Sequence, residues 1–125
     1  MPNKTKILVI EDEEMLSTMY KVKFENEGYD VTVANDGADG IEKAIKEKPD
    51  MILLDIIMPK MDGVTLADRL CALEPRIKVI FTSGYSTKER IEKNLQNEEI
   101  HFIEKPYKMS ALLEKIQFVL ISDLS

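Results

Sequence analysis

The stretch Met51-Ile52-Leu53-Leu54-Asp55-Ile56-Ile57-Met58-Pro59-Lys60-Met61-Asp62-Gly63 decides the fold. Four apolar residues run without interruption into one aspartate, and a loop containing Pro59 and Gly63 follows at once. A short apolar run bounded by turn signals reads as a strand buried on both faces, the kind found in parallel sheets. Ile7-Leu8-Val9-Ile10 repeats the pattern and stops at Glu11-Asp12-Glu13-Glu14. In open α/β sheets, ligands bind beyond the carboxyl ends of the strands, near the point where strand order reverses. Carboxylates at two such ends are therefore placed for chemistry.

Outward from these runs, strand-like and helix-like segments alternate. Leu16, Met19, Tyr20 and Phe24 recur at helical spacing, and Glu27-Gly28 closes that helix. Val31-Thr32-Val33 predicts a second strand. Asn35-Asp36-Gly37 turns into a helix with Ile41, Ala44 and Ile45 on its apolar side, stopped before Pro49. Asp62-Gly63 opens a helix carrying Leu66, Ala67 and Leu70, with Pro75 beyond its end. Val79-Ile80-Phe81 and Ile100 to Ile103 predict the fourth and fifth strands. Between them, Ser86 to Asn97 has helix-forming composition but only Ile91 and Leu95 as an apolar stripe. That polarity predicts the least stable helix of the chain. Met109, Leu112, Leu113, Ile116 and Leu120 mark the last helix. Five strands alternating with five helices predict βαβ units and a parallel sheet covered on both faces. No repeat, low-complexity segment or linker interrupts the pattern, so residues 1–125 read as a single domain.

A length of 125 residues, 44% hydrophobic and 32% charged, suits one ordinary globular core. The net charge of −6 argues against direct nucleic-acid binding and against an anionic membrane surface. The one cysteine, Cys71, forms no internal disulfide, and neither a signal-peptide core nor a membrane-spanning run is present. A cytoplasmic location is the expectation.

If the first and third strands lie side by side at the switch point, Glu11 and Asp12 come next to Asp55. Three neighbouring carboxylates repel and raise one another's pKa unless a cation neutralises them. Mg²⁺ suits such a site because it takes few protein carboxylates, keeps waters and bridges to phosphate oxygens. The other strand ends add the Thr82 hydroxyl and the Lys105 ammonium, just before Pro106. A nucleophile, a metal site, a hydroxyl donor and a cation are the parts that phosphoryl transfer needs. Attack by a carboxylate on phosphorus gives an acyl phosphate.

On these residues the chain resembles the receiver domains of two-component response regulators, the chemotaxis receivers among them, over nearly its whole length. The matching motifs are Glu11-Asp12, Asp55 with Met58-Pro59 and Asp62-Gly63, Thr82-Ser83-Gly84, and Lys105-Pro106. The resemblance implies a flavodoxin-like doubly wound (βα)5 fold with strand order 2-1-3-4-5. It implies Asp55 as phosphoacceptor and Asp12 as the direct carboxylate ligand of Mg²⁺, with Mn²⁺ as a substitute. Glu11 would assist through a water, and the backbone carbonyl of Ile57 would complete the protein ligands. Thr82 would hydrogen-bond the phosphoryl group, Lys105 would pair with it, and Phe102 would act as the switch aromatic. The Lys105-Pro106 bond is expected to be cis. Implied partners are a sensor histidine kinase or histidine phosphotransfer protein, a downstream protein effector, and a second copy in a phosphorylation-dependent homodimer. The implied chemistry is self-catalysed phosphorylation and autodephosphorylation within a signalling domain, rather than turnover of an external substrate. The chain departs from the family pattern at Glu11, where many relatives have Asp, and at Gln96-Asn97-Glu98-Glu99, which lacks the usual glycine.

Rival readings are a phosphohydrolase and a flavodoxin-like cofactor binder. A haloacid-dehalogenase-type hydrolase places a second Asp two residues after its nucleophile, where this chain has Ile57. A flavin binder needs a phosphate-cradling loop after the first strand, where this chain has four acids. Taken alone, Glu11 to Glu14 is also an ordinary helix start, and Lys105-Pro106 ordinary loop punctuation. Their joint placement promotes them. His101 falls in a predicted strand rather than on a helical bundle. Phe118 projects opposite the apolar stripe of the last helix, and is either a partner contact or a residue half-buried by fraying. Ile57 falls at a position flanking the phosphoryl group in relatives, where a polar side chain helps to position water. Ile57→Asn is accordingly expected to shorten the phosphorylated lifetime, measured by the decay of the phosphorylated mass; an unchanged lifetime contradicts that role.

Overall fold

Ile7 to Ile10 and Met51 to Leu54 are each no more than 2% exposed, because the strands they form are covered on both faces. The computed structural model describes residues 4–55, 57–58, 61–62, 69–70, 72–73, 77–83, 100–104 and 107–121, with backbone alone at 55, 57–58, 61–62, 83, 100, 102 and 104. Strands β1 (Lys6–Ile10), β2 (Asp30–Ala34), β3 (Met51–Asp55), β4 (Lys78–Ser83) and β5 (Ile100–Glu104) form one sheet in the order β2-β1-β3-β4-β5. Every neighbouring pair is parallel. This is the flavodoxin-like order expected.

Side chains alternate across the sheet, as the period of two requires. Leu8, Ile10, Ile52, Leu54, Val79 and Phe81 share one face, against which Ile41 and Ala44 of α2 (Gly37–Glu47) pack. Ile7, Val9, Met51, Leu53 and Ile80 share the other. That second layer is completed by Tyr20 and Phe24 of α1 (Glu14–Asn26) and by Leu112, Ile116 and Val119 of α3 (Met109–Ile121). No helix among the described residues is long and apolar enough to cross a membrane.

Local signals set the helix ends. After the C-cap Glu27, α1 is followed by Gly28 at φ +96°, a left-handed conformation that glycine adopts without a Cβ penalty. Asp36 caps α2 by accepting a hydrogen bond from the Asp39 N–H at 2.8 Å. At the far end of α3, the buried Lys78 donates to the carbonyls of Val119 (2.8 Å) and Leu120 (3.3 Å). A cation at a helix C-terminus is favourable both as a cap and against the macrodipole.

Three expectations need correction. Met19 is 40% and Ile45 57% exposed, although both extend an apolar stripe in the sequence. The buried line of α1 runs through Ser17, Tyr20 and Phe24, and Met19 lies about 100° round the helix from Tyr20. Ile45 is displaced in the same way from Ala44. The segment after Asp55 is not simply a loop: Ile57–Met58 and Met61–Asp62 pair as a short antiparallel hairpin. Leu70 is buried as expected, and Val119 joins the buried stripe of α3. The helix expected over Ser86 to Asn97, the residues Leu66 and Ala67, and the Lys105-Pro106 bond lie outside the described residues.

At Gly40, α2 packs tightly on a β1 side chain: a Cβ there would lie 2.6 Å from Ile10 Cδ1 and 3.1 Å from its Cγ1. Alanine gains about 1 kcal/mol of helix propensity, but overpacking a filled core costs about 1–3 kcal/mol. Gly40→Ala should therefore lower stability by about 1 kcal/mol in urea unfolding. Ile10→Val, which removes the clashing methyl, should recover part of that loss in the double variant. A Gly40→Ala protein as stable as the parent contradicts this packing account.

Candidate functional site

At the carboxyl edge of the sheet, register rather than chain proximity assembles the polar residues. Ile10 is the β1 partner of Leu54 in β3, so Glu11 and Asp55 are the next residues out on adjacent strands. Asp55 is the register partner of Thr82, and Thr82 of Ile103. Adjacent strands lie roughly 4.8 Å apart, so Glu11, Asp55, Thr82 and Ile103 form one row across the sheet. Glu11 is 3% and Thr82 2% exposed, whereas Asp12 is exposed. Buried polar groups are more informative than exposed ones. Among the described residues they are Glu11, Ser17, Thr82 and Lys78, and only Lys78 lies away from this edge.

The crossing from β1 to α1 is held by hydrogen bonds on both sides. The Glu11 N–H donates to the Ala34 carbonyl at 3.0 Å. The Asn35 side-chain amide donates to the Glu11 carbonyl at 3.0 Å and to Ser17 Oγ at 3.2 Å. Ser17 Oγ in turn donates to the Glu14 carbonyl at 2.9 Å, and the Ser17 N–H to the Glu13 carbonyl at 3.0 Å. Glu13 is the extended N-cap of α1, at φ −85° and ψ 110°. The positive end of the helix dipole therefore sits beside the acids.

This donor set fits a hard cation. Carboxylate oxygens from a buried residue and an exposed one share a single short loop, next to a strand ending in a third carboxylic acid. Oxygen ligands in small number, with room for water, suit Mg²⁺ better than a soft or imidazole-seeking metal.

The response regulator receiver domain model matches residues 7–117. The chain belongs to the response regulator receiver domain family. It is 32% identical over 120 residues to the transcriptional regulatory protein RprY of Bacteroides fragilis, covering 96% of this chain and 51% of that protein. To the chemotaxis protein CheY of Treponema pallidum it is 34% identical over 118 residues, covering 92% of this chain and 82% of that one. A solved CheY-like receiver domain from Methanospirillum hungatei superposes with a TM-score of 0.86 at 30% identity, covering 96% of each chain. The receiver thus spans little more than half the length of RprY.

In this receiver, Ile57 sits in the hairpin just beyond Asp55, and Phe102 is the β5 register partner of Phe81. β5 ends at Glu104; Lys105 and Pro106, and the side chains of Asp55 and Phe102, lie outside what the structure describes. Phe118 is 62% exposed on α3, with Lys115 Nζ 5.8 Å from its ring centroid, so it projects outward as its azimuth predicts. The sequence pattern assigns Asn35 only to a turn and gives no site role to it, to Ser17 or to Tyr107. The Tyr107 hydroxyl is hydrogen-bonded to that of Tyr20, which ties α1 to the chain immediately after Lys105-Pro106. The available signal for Asn35 was its position: an amide closing β2 beside the end of β1.

Proposed function

We propose that residues 1–125 form one receiver domain in which Asp55 accepts a phosphoryl group from a sensor histidine kinase or a histidine phosphotransfer protein. The observation that carries this reading is the row of Glu11, Asp55 and Thr82 across adjacent strand ends. A carboxylate oxygen of Asp55 attacks phosphorus, the P–N bond to the donor imidazole breaks, and the imidazole nitrogen leaves with the bonding electron pair. The reverse of the signal is hydrolysis: water attacks the same phosphorus, the acyl P–O bond breaks, and Asp55 returns to a carboxylate. Both steps are the domain's own catalysis. Thr82 donates its hydroxyl to a phosphoryl oxygen, and Lys105 supplies a cation to another. Asp12, Asp55 and the Ile57 carbonyl would hold Mg²⁺ or Mn²⁺, and Glu11 would assist through a water. When bound, that ion offsets the charge of the carboxylates and the phosphoryl oxygens.

The output is a changed surface. Phosphoryl binding draws on Thr82, and the Phe102 ring follows, shifting the balance between two conformations read by a downstream protein effector. To move such a balance from 1:99 to 99:1, the phosphoryl group must favour the active state about 10⁴-fold. Two exposed apolar features support protein contacts. Met15, Met19 and Val22 (83%, 40% and 51% exposed) line one side of α1, which begins at the acidic loop. A phosphodonor protein seated on that side has the end of β3 within reach. Phe118 and Ile121, both more than 60% exposed on α3, suit a second copy of the phosphorylated domain. The working location is the cytoplasm.

Intact-mass analysis after incubation with acetyl phosphate tests the chemistry. We expect one phosphoryl adduct with Mg²⁺, and none with EDTA or in Asp55→Asn. A stoichiometric aspartyl adduct in Asp55→Asn contradicts the assignment. Sedimentation velocity tests the surface: Phe118→Ser should weaken self-association of the phosphorylated protein roughly ten-fold or more, the usual loss for a central aromatic anchor. Unchanged association removes Phe118 from the interface.

A further inference from the structure

We infer that Asn35 is a positioning residue for the cation-binding loop, acting together with Ser17. The inference rests on the reading above that Glu11 and Asp12 hold a divalent ion. Glu11 is buried and Asp12, its neighbour in the chain, is exposed. Two successive carboxylates on one ion depend on the torsions of the peptide between them. The Glu11 carbonyl belongs to that peptide, and it accepts one N–H of the Asn35 amide at 3.0 Å. Glu11's other peptide is fixed by its N–H bond to Ala34.

The same Nδ2 donates at 3.2 Å to Ser17 Oγ, and Ser17 Oγ donates at 2.9 Å to the Glu14 carbonyl. An amide nitrogen has two hydrogens and a hydroxyl both donates and accepts, so the chain of bonds is chemically complete. Ser17 is 1% exposed, which leaves little access for water to replace that link. One side chain thereby grips the acidic loop at its strand end and, through Ser17, at its helix end.

A purely structural role for Asn35 would be to start α2, the helix that follows it. That task already belongs to Asp36, whose carboxylate caps the Asp39 N–H at 2.8 Å. The two side-chain hydrogen bonds of the Asn35 amide nitrogen instead cross to the loop and to α1. Asn35 is itself exposed, so truncation opens no hole in the core. What it removes is the fixed direction of the Glu11–Asp12 peptide. Groups behind a metal ligand commonly change affinity without touching the metal.

Isothermal titration of the unphosphorylated protein with MgCl₂ tests this, with apo thermal unfolding measured alongside. The parent should bind Mg²⁺ saturably, and Asn35→Ala should raise the dissociation constant roughly three- to ten-fold, the scale of one lost hydrogen bond. Ser17→Ala should move it in the same direction, and the double variant should lose less than the product of the two fold-changes, because the residues share a bond. Lys78→Met, which removes the α3 cap from the opposite edge of the sheet, should lower the unfolding temperature and leave Mg²⁺ affinity unchanged. If the parent binds Mg²⁺ and Asn35→Ala binds it equally well, Asn35 is not a positioning residue while the metal reading stands. If the parent binds no Mg²⁺, the metal reading fails and the inference falls with it. Should Asn35→Ala not fold, Ser17→Ala decides by the same comparison.

Discussion

The parallel register of β1 on β3, Ile7 against Met51 through Ile10 against Leu54, is the constraint on which the rest depends. Both strands are buried on both faces, and consecutive residues feed different layers of the core. A slip of one residue would send Ile10 and Leu54 into the layer of α1 and α3, and Val9 and Leu53 into that of α2. The register is thus fixed by packing far from any polar group. Its consequence at the edge is that Glu11 and Asp55 emerge side by side. Core burial thus sets which residues stand next to each other where the strands end.

The two edges of the sheet are built differently. At the amino edge the polar groups are consumed by structure: the Lys6 N–H donates to the Asp50 carboxylate at 2.8 Å, and the Asp50 N–H returns to the Lys6 carbonyl at 2.8 Å. Lys78 spends its ammonium on the end of α3. The carboxyl edge instead gathers acids and a hydroxyl around strand ends, beside the start of α1. Response regulator receivers share this fold, and in open α/β sheets the carboxyl edge is the one where ligands bind.

Strands were legible in the sequence because an unbroken apolar run of four residues, bounded by turn signals, has few other uses in a chain this short. The acids at their ends were legible for the same reason. Phe118 was legible because its azimuth on α3 opposes a continuous stripe. Met19 and Ile45 were misread because apolar character is not burial, and α1 carries a second apolar line through Met15, Met19 and Val22. The hairpin at Ile57–Met58 and Met61–Asp62 is too short to have a period. Asn35 was invisible as a strap because its acceptors lie 24 and 18 residues away in the chain, and only the adjacency of β2 and β1 brings them together.

A crystal structure of the protein with Mg²⁺ and beryllofluoride, a mimic of the aspartyl phosphate, tests the central claim most directly. The account predicts beryllofluoride bonded to Asp55, with Mg²⁺ held by Asp12, Asp55 and the Ile57 carbonyl, and Thr82 and Lys105 on the fluorides. Beryllofluoride absent from Asp55, or bound at another carboxylate, would contradict it.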